Sequence, residues 1–241
     1  MGIFKMQYSF YALTDVGQVR FNNEDALAID EDFGIAVLAD GMGGYNAGEV
    51  ASGMAVASVK SELLRWLSVE TQAANPHYAG MGTTVVAAVF KNDCLILGHV
   101  GDSRCYRSRA QALTQITRDH SLVQERVDAG LLTPEEALFA PGKNLLTRAL
   151  GVEDEVQVAL GEHAVQHGDV YLLCSDGLTD MLNDAEIAAA MAIGAPLPTI
   201  AAELVAKANA AGGRDNIAVL LVRASASTGK AGMMSRFFGA P

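Results

Sequence analysis

The chain has 241 residues, enough for one large domain with a full core and with no need of two. Half of the residues are apolar and few are aromatic, which is an ordinary globular composition. The 28 acidic residues against 17 basic ones leave a formal charge of -11, which excludes a nucleic-acid-binding footprint and suits divalent cations wherever carboxylates cluster.

The N-terminal "MGIFKMQYSF" lacks the layout of a cleavable signal, and Met6 stands where a myristoylation site needs Ser or Thr. "YSFYAL" alternates like a half-buried strand, and "GIAVLA" is a continuous apolar run. Val56, Val59, Leu63 and Leu67 share one face of a helix expected from Ala47 to Leu67. "TTVVAAVF" and "CLILGHV" are apolar and β-branched, and read as strands. A helix follows near Ser121 to Ala129 and stops at Gly130. "TPEEAL" opens another, with Thr133 as cap, Pro134 in the first helical position and Glu136 completing a capping box. "VQVAL" alternates, and "GEHAVQHGDVY" reads as a hairpin leading into the strand "DVYLLCS". A short helix follows Asp184, and a longer one runs from about Thr199 to Ala211 and ends at Gly212-Gly213. "NIAVLLVR" is the last strand. From Ala224 the chain turns small and polar and closes on "MMSRFFGAP", a flexible tail whose Phe237-Phe238 pair either docks or meets a partner. Strands outnumber helices, so the expected fold is α+β, with antiparallel sheets packed together and helices outside.

No apolar run approaches the roughly 18 residues of a helical membrane span. Cys94, Cys105 and Cys174 have no CxxC spacing and are odd in number, which reads as reduced thiols in a cytosol.

The strongest chemical signal is a repeated one. "AVLADGMGGYNAGEVAS" ends an apolar run on Asp40 and then places four glycines within eight residues. "YLLCSDGLTDML" repeats the pattern at Asp176-Gly177, and "GGRDNIAVLLV" mirrors it at Asp215. A single Asp-Gly after a strand is a common turn. Three such strand ends can also aim carboxylates into one cleft, where hard cations need several oxygens on rigid elements. Glu24 and Asp25 in "NNEDA" and Asp119 in "TRDHS" add to the set.

These segments, together with "TDVGQVRFNNEDA", "MGTTVVAA", "GHVGDSRCYR", "LTRDHSLVQERVDAGLLTPEEA" and "NLLTRALG", run in order from about Tyr8 to Arg223. In that order they resemble the bacterial metal-dependent protein serine/threonine phosphatases of type 2C, the PPM family. The resemblance implies a four-layer α-β-β-α sandwich for residues 1–223, two antiparallel β-sheets packed face to face with helices on both outer faces. It implies a flap at about 121–148 and leaves 224–241 as a flexible C-terminal tail.

The resemblance also implies a two-metal centre of Mn2+ or Mg2+. Asp40 would bridge both ions, and Asp176 and Asp215 would complete the first site. Asp25, with the Gly41 carbonyl, would serve the second, and Glu24 sits beside it. Asp119 matches a third, weaker site shared with Asp176. A water or hydroxide held between the two ions would attack phosphorus in line. Arg20 matches the phosphate-binding arginine, so Arg20 and Asp40 are the expected catalytic residues. The substrates would be phosphoserine and phosphothreonine in proteins, opposite a bacterial serine/threonine kinase, and the enzyme a cytoplasmic monomer. It would touch no nucleic acid.

Two positions depart from many relatives, which carry histidine where this chain has Met42 and Tyr45. Neither removes a metal ligand, but the general acid is left unassigned. His163 and His167 do not make a zinc site, because their spacing falls on the hairpin and not on a helix. His99 reads as strand packing, and His120 either supports the cleft or serves the fold. "ASTGKA" follows the last strand and lacks the Ser or Thr after Lys230, so it is no phosphate loop. Asp102 and Arg104 in "GDSRCYR" read foremost as a structural ion pair, and otherwise as residues that shape the site from beneath. Two rival functions have stated signatures. A non-catalytic phosphoprotein-binding domain would have lost metal aspartates, and a small-metabolite phosphatase would differ in its groove alone.

Overall fold

Alternate residues of a strand face opposite ways, so a strand buried on both faces serves two different layers. That is how the central strands here build the molecule. The structure, a computed structural model, describes residues 6–42, 47–68, 82–137, 140–142, 145–152, 156–192 and 194–226, and of 64–68 the backbone alone. Tyr45, the side chain of Leu67 and the Phe237-Phe238 pair lie outside the described residues.

One five-stranded sheet joins, in spatial order, β1 (Met6–Asp15), β11 (Ile217–Ala226), β10 (Val170–Cys174), β7 (Arg104–Arg109) and β8 (Ala112–Gln115). The second joins β2 (Asp25–Asp30), β3 (Ile35–Met42), β5 (Val85–Lys91), β6 (Cys94–Val100) and β9 (Ala159–Ala164), with the short β4 (Gly82–Thr83) on β3. Every pairing is antiparallel.

The period of two then sorts the side chains. In β11, Ala218, Leu220 and Val222 point inward and meet Ala36 and Leu38 of β3 and Val86, Ala88 and Phe90 of β5 in the layer between the sheets. Ile217, Val219 and Leu221 point outward, onto α5 (Asp184–Met191) and α6 (Leu197–Ala210). Ile35, Val37 and Ala39 of β3 likewise point away from the centre, onto Ala55 and Val56 of α1 (Ala47–Ser68). The result is the expected four-layer arrangement. Two further helices, α2 (Leu122–Asp128) and α3 (Pro134–Ala137), lie between β8 and β9 in the chain. The Thr133–Glu136 capping box forms as read from the sequence, with bonds of 2.8 and 3.2 Å.

Three local expectations are corrected. "GEHAVQHGDVY" is no hairpin, because β9 pairs with β6 in one sheet while β10 pairs with β11 and β7 in the other. The turn carries the chain across the sandwich. The strand expected at Val156 begins at Ala159. The last strand runs three residues past position 223, to Ala226, because Met6 of β1 pairs with Ala226.

At this crossing the fold is tied by charge. Arg109 grips both oxygens of Asp169 at 2.7 Å, and Asp169 is 1% exposed. The Gln166 amide at 2.8 Å and the Tyr171 hydroxyl at 3.1 Å also donate to Asp169. Burial alone would raise the Asp169 pKa, but Arg109 and these donors outweigh it and hold the carboxyl below its ordinary value of 3.8. Breaking a buried ion pair costs about 3 kcal/mol or more. Asp169→Asn should therefore lower the melting temperature by roughly 6–12 °C at neutral pH. The folded pKa is depressed, so this contribution is complete above the unfolded pKa and is lost as pH falls through the folded one. Thermal melts of both proteins from pH 7 to pH 3 should show the gap closing only in acid; a constant gap would exclude the ion pair as its cause.

Candidate active site

Both sheets deliver carboxylates to one rim of the sandwich. Asp25 opens β2 and stands directly opposite Asp40 in β3. From the other sheet, Asp176 begins the short α4 (Asp176–Thr179) just after β10, and Asp215 precedes β11. Together with Arg20, Glu24, Asp40, Gly41 and Asp102, Asp176 and Asp215 line a cavity of about 550 Å³. A second cavity, of about 640 Å³, adjoins it and is lined by Asp119 and Arg104, with Asp102 and Asp176 shared between the two.

The backbone of Asp40 is held on both sides. The Asp40 amide donates to Thr84 Oγ1 at 3.1 Å, and its carbonyl accepts from the Thr83 hydroxyl at 2.7 Å and the Thr84 amide at 2.9 Å. Thr84 in turn shares a hydroxyl bond of 2.7 Å with Ser103. Ser175 Oγ donates to Asp25 Oδ2 at 2.7 Å and accepts the Ala218 amide at 3.0 Å, linking one sheet to the other. Asn216 clamps the loop that carries Arg20 and Glu24. Its Nδ2 donates to the carbonyls of Val16 and Asn22, and its Oδ1 accepts the Glu24 amide at 2.7 Å.

The glycines beside these aspartates have a steric cause. A Cβ on Gly41 would sit 2.0 Å from the Gly48 carbonyl oxygen, and one on Gly177 would sit 1.9 Å from that of Asn216. The start of α1 therefore lies directly against the end of β3. Glu24 closes the same contact, since a Cβ on Gly48 would meet its carboxylate at 2.5 Å.

The electrostatics are those of crowded anions. Burial, then the neighbouring Asp176 and Asp215, push Asp25 up to about 7, even though the bond from Ser175 opposes the shift. Asp40 is raised well above its ordinary value by burial and then by Asp25 and Asp176. Burial raises Glu24 as well, although Arg20 pulls the other way. Asp215 is engaged by Arg20 Nη2 at 2.5 Å. Asp25 Oδ1 is buried without a hydrogen-bond partner. Among the described residues no three His, Cys, Asp or Glu side chains already converge as a ready ligand set. The donor set nevertheless fits divalent cations, since an orphaned buried oxygen and mutually raised carboxyls are what a cation relieves.

Asp119 stands apart from the first cavity. Arg104 Nε reaches both its oxygens at 3.0 Å, Nη2 donates at 2.6 Å, and Gln115 adds a bond of 2.9 Å. The expected Asp102–Arg104 pair is thereby corrected. Arg104 pairs with Asp119, and Asp102 faces the cavities with its carboxyl pushed up to about 8 by burial, Asp176 and Asp119. Asp102 is the cavity residue that sequence reasoning ranked too low, because the Asp-x-Arg spacing favoured a local pair over a place beneath the site. Asn216, next to Asp215, carried no signal of its own. His120 turns out to brace this loop: the Gly101 amide donates to its Nδ1 at 3.1 Å, and its ring stacks on His99 at 4.7 Å. Burial and then His99 lower its pKa to about 4, so the ring stays neutral and able to accept.

Two packed antiparallel sheets whose acidic strand ends open on one cavity make a framework suited to divalent cations. Known proteins narrow this reading. No family model matches the chain. The serine/threonine phosphatase Stp of Listeria welshimeri is 41% identical over 234 residues, which cover 87% of this chain and 93% of that protein. The protein phosphatase PhpP of Streptococcus pneumoniae is 40% identical over 87% of this chain and 95% of its own. The crystal structure of the Mycobacterium tuberculosis serine/threonine phosphatase PstP superposes with a TM-score of 0.79 at 37% identity, over 90% of this chain and 98% of that one. A PstP catalytic domain solved with two manganese ions matches at a TM-score of 0.78 and 36% identity, over 91% and 99% of the two chains. The chain belongs to the PPM family of bacterial serine/threonine protein phosphatases, metal-dependent enzymes that act on phosphoproteins.

The Asn216 clamp gives a direct test of how the cleft is held. Asn216→Ala removes the acceptor of the Glu24 amide and the donor to the Val16 and Asn22 carbonyls, which lie on exposed residues. A lost partner at one part-buried group costs about 1–3 kcal/mol, and the variant should lose about that much stability. Its Glu24 amide should exchange with solvent faster than in the parent. Unchanged exchange at Glu24 would show that the loop is held by other contacts.

Proposed function

We propose that this cavity hydrolyses phosphoserine and phosphothreonine esters with Mn2+ or Mg2+, and that Asp40 bridges two ions. Asp176 and Asp215 complete the first site, while Asp25 and the Gly41 carbonyl serve the second beside Glu24. Asp119, with Asp176, holds a third and weaker ion. The observation that carries this reading is the unpartnered Oδ1 of Asp25, buried opposite Asp40. When bound, such ions supply Lewis acidity, which acidifies water and offsets phosphoryl charge.

The chain's own groups do the rest. Asp40 is fixed at both main-chain atoms, so its carboxylate keeps one position through the reaction. Arg20 stands at the cavity wall and donates to the phosphoryl oxygens, favouring the charge that develops as the ester bond breaks. Met42 lines the cavity and has no proton to give, so the leaving alkoxide is protonated from elsewhere. The enzyme works in the cytoplasm as a monomer and opposes a serine/threonine kinase. The three unpaired cysteines, two of them buried, support a reducing compartment. No helix among the described residues is long and apolar enough to cross a membrane.

Chelation should abolish phosphothreonine-peptide turnover, and Mn2+ or Mg2+ should restore it. Asp40→Asn should remove activity and tight metal binding together, while Asp119→Asn should keep two tightly bound ions by calorimetry. Retention of two tight ions and near-parental turnover in Asp40→Asn would refute the bridging role. The Asp40→Asn fold should melt no lower than the parent's metal-free form, because the substitution relieves carboxylate repulsion.

Arg20→Ala should lower kcat/KM on the peptide by about ten- to a hundredfold, the effect of one charge-assisted contact. The metal stoichiometry should be unaltered. An unchanged kcat/KM would make Arg20 a partner of Asp215 only.

A further inference from the structure

Among the described residues, two basic side chains line the 550 Å³ cavity, Arg20 and Arg148. Arg20 also bonds Asp215, through Nη2 at 2.5 Å. Arg148 has no carboxylate partner among the described residues. Among the described residues its one hydrogen bond runs from Nη1 to the Gln157 carbonyl at 3.5 Å, the outer limit of such a contact. A guanidinium with spare donors, in a cavity otherwise rich in carboxylates, suits an incoming anion.

Its mounting is rigid. On one side, the Thr147 amide donates to the His120 carbonyl at 2.9 Å, and Leu146 bridges to Ser121. On the other, Leu150 and Thr83 exchange amide bonds of 2.8 and 3.0 Å. Thr83 is the residue whose hydroxyl holds the Asp40 carbonyl. Arg148 is thus braced to the same strand end as Asp40 and does not ride on a free loop. Leu145 and Val152 line the same cavity.

We propose that Arg148 is a second phosphate-binding guanidinium of this cleft. It donates two N–H groups to phosphoryl oxygens of the substrate from the wall formed by residues 145–152, and so positions the phosphorus atom. The inference rests on the phosphatase reading above, and parental turnover of a phosphothreonine peptide, measured first, tests that reading separately.

The test uses Mn2+-loaded enzyme and inorganic phosphate as the probe. Arg148→Ala should raise the calorimetric Kd for phosphate about tenfold or more, the loss of a charge-assisted contact. Arg148→Lys should recover only part of it, because a lysine cannot form the two parallel bonds. kcat/KM should fall in parallel on p-nitrophenyl phosphate and on the phosphopeptide, with Mn2+ stoichiometry unchanged. An unchanged phosphate Kd overturns the proposal. So does a loss confined to the phosphopeptide, which would mean that Arg148 grips the peptide and not the phosphate. A lowered melting temperature with parental phosphate affinity would make it a structural residue and overturn the proposal as well.

Discussion

Carboxylates repel, and this fold forces several of them into one cleft. Asp25 and Asp40 face each other across adjacent strands, and Asp176, Asp215 and Asp102 crowd the same space. Burial and the neighbouring carboxylates raise the pKa values of Asp25, Asp40 and Asp102, a sign that the charges of the cleft oppose one another. The four-layer core is what withstands it. Each acidic residue sits at the end of a strand or on a short connection whose neighbours are locked in one of the three apolar layers. The cleft could not be assembled on loops alone, because nothing would hold the charges at these separations.

The polar residues around the cleft divide the labour. Thr83, Thr84 and Ser103 fix the Asp40 backbone, Ser175 joins Asp25 to the opposite sheet, and Asn216 holds the loop of Arg20 and Glu24. None of them carries charge, so none adds to the repulsion. They are hydrogen-bonded and mostly buried, which lets them pin their partners in a setting where a single missing bond would be costly. Arg104 serves the same end by charge, taking up Asp119 and leaving Asp102 to face the cavities.

Much of this could be read in the chain itself, and the limits have physical causes. Asp40 and Asp176 stood out because two apolar runs stop on Asp-Gly, and Asp215 because it mirrors them just before the last strand. The capping box at Thr133 depends on neighbours within three residues and forms in the structure. What depends on distant partners was hidden. Arg104 lies two residues from Asp102 yet bonds Asp119, fifteen residues away, because the β7–β8 hairpin brings that loop back. The pattern of β9 and β10 showed that strands were present but not which sheet each joins. The glycines after Asp40 stood out in the sequence, but not their steric cause: Gly41 and Gly48 lie where the chain passes within contact distance of itself.

The connection from β6 to β7 through Gly101–Ser103, like that from β9 to β10, passes from one sheet to the other. The acidic residues at the rim are accordingly shared between two slabs separated by the thickness of a layer of Ala36, Leu38, Val86, Leu173 and Leu220. That filling acts as a spacer. Its depth sets how far the Asp25–Asp40 half stands from the Asp176–Asp215 half, much as a shim sets the opening of a vice. Exchanging Ala36 or Ala88 for a bulkier residue touches no polar group, yet it would spread the jaws of the cleft from below. The innermost alanines are therefore part of the calibration of the site, and their small size is a functional dimension as much as a packing one.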